Sequence, residues 1–138
     1  MIYLDSAALV KLIREEDETV ALVSWLNGRP DQRLVASALV EVEVPRALRR
    51  CQPTVLAAVA TTLARIDRIE IATAIRATAA AYTNPHLRSL DAIHLATADH
   101  LVASGKHVTA FVTYDTRLAG AARTCGLPVI APGQPPPR

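Results

Sequence analysis

Cysteine is scarce in this chain: its 138 residues hold two, Cys51 and Cys125. Two scattered thiols make neither a zinc pattern nor a disulfide framework. Both are expected to be small core residues in a reducing compartment. Aromatic residues are also few, 4% of the chain, while hydrophobic residues reach 51%. Much of that share is Ala, Leu and Val, a mix that suits helices packed on a sheet. No apolar run reaches membrane-spanning length, because Arg65 and Arg76 interrupt the longest ones. A basic leader with a small-residue cleavage site is missing too, since strand and helix are expected from Met1 onward. A soluble, cytoplasmic protein without a membrane partner is the expectation. No repeat or linker divides the chain, so its length implies one domain with a proper core, residues 1–131. The Pro-rich tail, residues 132–138, is expected to be extended or disordered. Charge of one sign is lacking as well, at net +2. If four carboxylates converged in one place, the rest of the chain would carry +6, an acidic cleft in a basic surround that attracts a polyanion.

What is present is organised around the stretch Met1-Ile2-Tyr3-Leu4-Asp5-Ser6. The apolar run reads as a short strand covered on both faces. Asp5 falls where it ends, and an amphipathic helix follows over residues 7–15. The C-terminal edge of an open α/β sheet is where ligand sites form, yet Asp and Ser are also good helix caps.

Further strands are expected at residues 33–37, 68–72, 109–114 and 127–131. The helices between them span residues 18–27, 38–50, 53–65, 73–82, 90–104 and 116–125. Asp17, Ser37 and Ser89 are placed to cap the helices that follow them. Pro45 lies inside a helical pattern, leaves the Glu41 carbonyl without its donor, and is expected to kink the helix. Gly105 and Gly126 stand where helices stop. Strands alternating with helices imply an α/β fold in three layers, with a central parallel sheet and right-handed crossovers.

Four acids converge on one edge of that sheet. Asp115 repeats the pattern of Asp5: apolar strand, Asp, helix. Asp91 lies in the first turn of a helix, at the same edge. Within the helix over residues 38–50, capping does not explain an acid. Glu41 and Glu43 are about 200° apart around it, so only one can face the edge; spacing alone does not choose. Clustered carboxylates raise one another's pKa and cost stability without a cation. Hard oxygen donors without a Cys/His set suit Mg²⁺ or Mn²⁺.

Four stretches together resemble the PIN-domain ribonucleases, and within them the VapC toxins of bacterial toxin–antitoxin pairs. They are Met1-Ile2-Tyr3-Leu4-Asp5-Ser6-Ala7-Ala8-Leu9-Val10-Lys11-Leu12, Ser37-Ala38-Leu39-Val40-Glu41-Val42-Glu43-Val44-Pro45-Arg46-Ala47-Leu48, Leu90-Asp91-Ala92-Ile93-His94-Leu95-Ala96-Thr97-Ala98 and Phe111-Val112-Thr113-Tyr114-Asp115-Thr116-Arg117-Leu118. The likeness covers nearly the whole chain in order. It implies a PIN fold over residues 1–131 and an endoribonuclease dependent on Mg²⁺ or Mn²⁺. It puts the family's acidic quartet on Asp5, Glu43, Asp91 and Asp115, with Glu43 chosen over Glu41 by the Val44-Pro45-Arg46-Ala47 that follows. It also implies an RNA substrate, a homodimer, and a VapB-type antitoxin that inserts into the acidic groove.

Other residues are candidates for lesser roles. Ser6, Ser37 and Thr113 are placed to orient carboxylates or metal-bound water, with capping the preferred role of Ser37. Asp99 lies about 12 Å beyond Asp91 along its helix, too far to share an ion; it orients a ligand from behind or is solvated. His94, with no partner His or Cys, is expected to be structural. Arg14, Arg46, Arg49 and Arg50 are candidates for phosphate contacts. A receiver-type signalling domain would need a second acid after Asp5, where Ser6 stands, and a Lys after a late strand. An Asp-x-Asp phosphatase fails because Ala7 holds the second position. A PIN-like binding module without activity remains as the alternative, disfavoured by the intact quartet.

Overall fold

The structure, a computed structural model, describes residues 1–136. Its spine is a sheet of five parallel strands: β1 (Ile2–Leu4), β2 (Leu34–Ser37), β3 (Asp67–Ile69), β4 (Ala110–Val112) and β5 (Val129–Ile130). They lie in the order β3-β2-β1-β4-β5. In the central β1, Ile2 pairs with Leu34 on one side and Ala110 on the other, and Leu4 pairs with Val112. All three β1 residues are fully buried, as a strand covered on both faces must be.

Among the described residues seven helices join the strands: α1 (Ser6–Ile13), α2 (Thr19–Asn27), α3 (Val40–Cys51), α4 (Val59–Leu63), α5 (Thr73–Ala81), α6 (Ser89–Ala103) and α7 (Thr116–Thr124). A 3-10 segment, Pro53–Ala58, leads into α4. Successive strand side chains point to opposite faces, and the core divides accordingly. Ile2, Leu4, Ala36 and Val112 pack with Leu9, Leu22, Val44, Leu48 and Leu63 from α1 to α4. Tyr3, Val35 and Phe111 pack with Leu95 and Leu101 of α6 and Leu118 of α7, and α5 lies on α6. The expected three-layer α/β architecture is therefore present. Each buried Leu contributes roughly 1.5–3 kcal/mol, more than the ~1 kcal/mol of a cap, so packing decides where the helices sit.

That hierarchy explains several departures from the local expectations. Asp17 does not cap α2; Glu18 holds that position without a side-chain bond. The Thr19 hydroxyl instead accepts from the Glu16 N–H and donates to the Lys11 carbonyl, tying α1 to α2. Ser89 is the first residue of α6, and Arg88 precedes it without a capping bond. Ser37 Oγ accepts from the Leu39 N–H at 3.2 Å, closing the turn before α3. β3 sits earlier than expected because Ser37 pairs with Ile69. The α3 helix runs unbroken through Pro45. Cys51 and Cys125 are exposed rather than in the core, since both fall at helix ends that reach solvent.

Gly105 and Gly126 adopt φ 82°, closing α6 and α7. Of the expected extended or disordered tail, residues 132–134 form a turn: Tyr114 donates to the Pro132 carbonyl at 2.9 Å and the Gln134 N–H to the Ala131 carbonyl at 3.0 Å. Residues 137 and 138 lie outside the described residues. Lys11, 8% exposed, pairs with Glu18 at 2.9 Å and lies over the Tyr114 ring. Among the described residues no helix is long and apolar enough to cross a membrane.

Candidate active site

The strand order reverses beside β1, where the chain first runs outward through β2 and β3 and later returns as β4 and β5. Such a switch point opens a crevice at the C-terminal ends of the two central strands. Asp5 leaves β1 there, with its N–H donating to the Val112 carbonyl of β4 at 3.2 Å. Asp115 follows β4. Both residues cap helices: Asp5 Oδ1 accepts from the Ala8 N–H at 2.9 Å, and Asp115 Oδ1 from the Leu118 N–H at 2.8 Å. Capping and membership of the cluster thus coexist in one side chain.

Asp91, in the first turn of α6, is partly buried. Burial raises its pKa first; the charges of Asp115, Asp5 and Glu43 push the same way, and His94 opposes them. The pKa of Asp5 is also raised, by burial above all and by the charge of Glu43, against the pull of His94, the Thr113 hydroxyl and the Ala8 N–H. Asp91 thus feels the charges of the other three carboxylates, and Asp5 that of Glu43.

Glu43 enters from α3. Its Oε1 accepts from Ser6 Oγ at 2.6 Å and stands 2.8 Å from His94 Nε2. Burial works to raise its pKa, but these partners outweigh burial and the value is lowered. Glu41 faces away and pairs with Arg68 at 2.6 Å. Helix orientation thus separates two acids that spacing did not.

Ser6 Oγ is also 3.2 Å from His94 Nε2, and Thr113 Oγ1 accepts from the Asp115 N–H at 3.2 Å. Asp99 is elsewhere, accepting from the Tyr82 hydroxyl. Burial first, and Asp99 next, raise the pKa of Tyr82. Arg46 and Arg50 are exposed on α3, three and seven residues after Glu43 and on the same stripe. His94 is the residue that sequence reasoning under-read. It is 3% exposed, as a structural residue should be, yet one ring nitrogen meets Tyr3 and the other meets Glu43. The available signal was its spacing of three from Asp91, which puts both on one face of α6.

Hard carboxylate oxygens without thiolates are the donor chemistry of Mg²⁺ or Mn²⁺. Burial above all, and neighbouring acids next, disfavour the charged forms of Asp5 and Asp91, which a cation would favour. The second oxygens of Glu43 and Asp115 make no hydrogen bond among the described residues. As placed, however, no three Asp, Glu, His or Cys side chains among these residues form a group that could hold a metal ion.

Residues 2–124 match the family model of the PIN domain. The chain is 58% identical over 134 residues to Ribonuclease VapC35 of Mycobacterium tuberculosis, an alignment covering 97% of this chain and 98% of that protein. It is 41% identical over 131 residues to Ribonuclease VapC46 of the same organism, covering 95% and 97%. Among solved structures, FitAcB from Neisseria gonorrhoeae has a TM-score of 0.70 at 18% identity, covering 96% of this chain and 98% of that one. A toxin–antitoxin complex from Klebsiella pneumoniae has a TM-score of 0.67 at 21% identity, covering 96% and 98%. At these identities the structural likeness is one of fold.

Proposed function

From the premise that this chain belongs to the PIN-domain family, among its VapC-type ribonucleases, we propose a mechanism and a set of residues for it. The protein is an endoribonuclease, the toxin of a toxin–antitoxin pair, and it hydrolyses RNA phosphodiester bonds. Asp5, Glu43, Asp91 and Asp115 hold the divalent cation, Mg²⁺ or Mn²⁺. The observation that carries this reading is that Asp5 follows β1, Asp115 follows the neighbouring β4, and Asp91 opens α6 within the fields of Asp115, Asp5 and Glu43.

When bound, the cation supplies Lewis acidity toward the phosphate and its attacking water. The protein's own groups do the rest. Asp5 and Asp115 are each held through Oδ1 by a helix cap. Ser6 and His94 fix Glu43 through one oxygen. Thr113 steadies the backbone before Asp115 and the carboxylate of Asp5. Arg46 and Arg50 attract the phosphate chain. The partner is a VapB-type antitoxin, supported by the toxin–antitoxin complex that shares this fold. The working unit is a homodimer in the cytoplasm. Purified protein cleaves RNA with Mg²⁺ or Mn²⁺ and stops when EDTA is added; undiminished cleavage in EDTA overturns the cation's role.

A further inference from the structure

A chain of hydrogen bonds runs from the sheet to the crevice. The Ser37 N–H donates to Tyr3 Oη at 3.2 Å. Tyr3 Oη lies 2.8 Å from His94 Nδ1, and His94 Nε2 lies 2.8 Å from Glu43 Oε1. Tyr3 is fully buried and stacks on Phe111 with ring centres 4.9 Å apart. Ser37 uses a lone pair of Oη, and in one of the two neutral His94 tautomers the phenol proton goes to Nδ1. A neutral ring that accepts at Nδ1 carries its proton on Nε2, which then donates to Glu43. The Ser6 hydroxyl donates to the same Oε1, leaving Oε2 as the oxygen without a hydrogen bond among the described residues.

We propose that Tyr3 and His94 are positioning residues for Glu43: the Ser37–Tyr3–His94 chain selects the His94 tautomer that clamps Glu43 Oε1 and so presents Oε2 to the cation. A carboxylate near the end of a flexible side chain has many rotamers, and one held oxygen removes most of that freedom. Partners behind a ligand commonly control its affinity in this way. The inference rests on Glu43 being a cation ligand, and its test separates the two.

The test measures Mn²⁺ affinity, by the paramagnetic resonance signal of the free ion, alongside cleavage kinetics. Tyr3→Phe keeps the stacked ring and removes the hydroxyl. It lowers Mn²⁺ affinity and kcat about tenfold each and leaves KM for RNA within about twofold. In a Glu43→Gln background the same change alters neither quantity by more than about twofold, because its route of action is gone. His94→Gln, whose side-chain amide supplies the donor that ring Nε2 provided, stays within about threefold of the unaltered protein, while His94→Leu loses about ten- to hundredfold. In ¹⁵N spectra the His94 proton resides on Nε2, and Tyr3→Phe shifts it toward the other tautomer. If the Tyr3→Phe losses persist undiminished in the Glu43→Gln background, Tyr3 acts only on the fold and the inference is overturned. If Glu43→Gln alone leaves Mn²⁺ affinity unchanged, Glu43 is no ligand, and the reading beneath the inference falls with it.

Discussion

Glu41 and Glu43 stand two residues apart on α3 and meet opposite surroundings, an exposed Arg68 for one and a half-buried Ser6 and His94 for the other. Glu43→Gln is expected to cost at least about a hundredfold in cleavage, near 3 kcal/mol of transition-state stabilisation. Glu41→Gln changes the rate by less than about threefold. Rates on an RNA substrate, with circular dichroism to show that both variants fold, check this; an inactive Glu41→Gln would reverse the assignment. The raised pKa values of Asp5 and Asp91 make a second expectation. Between the unfolded carboxylate range, about 4, and the raised folded values, the folded state binds more protons than the unfolded one. Stability of the cation-free protein is therefore gained as pH falls through that window and lost as pH rises through it. The lowered pKa of Glu43 acts oppositely: its contribution is present above the unfolded value and disappears as pH falls through the folded one. In EDTA the melting temperature should rise as pH is lowered from neutrality toward the ordinary carboxylate range, and rise less in Asp91→Asn. A melting temperature that falls over that range would mean that burial and neighbouring charge do not raise these two carboxylates.

At the scale of elements, α7 begins on the Asp115 side chain. Asparagine retains an acceptor oxygen there and alanine does not. Asp115→Ala is thus expected to melt about 4 °C below Asp115→Asn, equivalent to ~1 kcal/mol for a lost cap. Both variants lose cleavage. Equal melting temperatures would show that packing alone holds α7. Elements are also where the sequence was easiest and hardest to read. The strands ending at Leu4 and Val112 were legible because continuous apolar runs have few other uses. The positions of Asp5 and Asp115 between strand and helix were legible because a strand, an acid and a helix recur twice. Asp17 and Ser89 were misread as caps because capping preference is local and weak, whereas helix starts are set by side chains packed from distant parts of the chain. The cysteines were misread because residue type predicts burial poorly at a helix end. Glu43 could not be separated from Glu41 by periodicity, since choosing between them requires knowing which side of α3 faces β1. His94 carried no visible partner, because Tyr3 is 91 residues away.

Across the whole molecule, a net charge of +2 conceals an acidic crevice within an otherwise basic chain. RNA binding should therefore weaken with salt. Arg46→Ala and Arg50→Ala should each reduce the slope of log affinity against log salt by about 0.7 to 1, as measured by fluorescence anisotropy in Mg²⁺. An unchanged slope would remove these two residues from the RNA path.

The sheet order has a consequence in time. β1 is made well before β4, the neighbour that completes the crevice. Asp5 and Asp115 are separated by 110 positions, which at ribosomal speed is roughly 5–20 seconds. During that interval the nascent chain carries the first carboxylate with no opposite wall to face. A chain whose translation stops before β4 therefore carries Asp5 without the strand that pairs beside it and without Asp115.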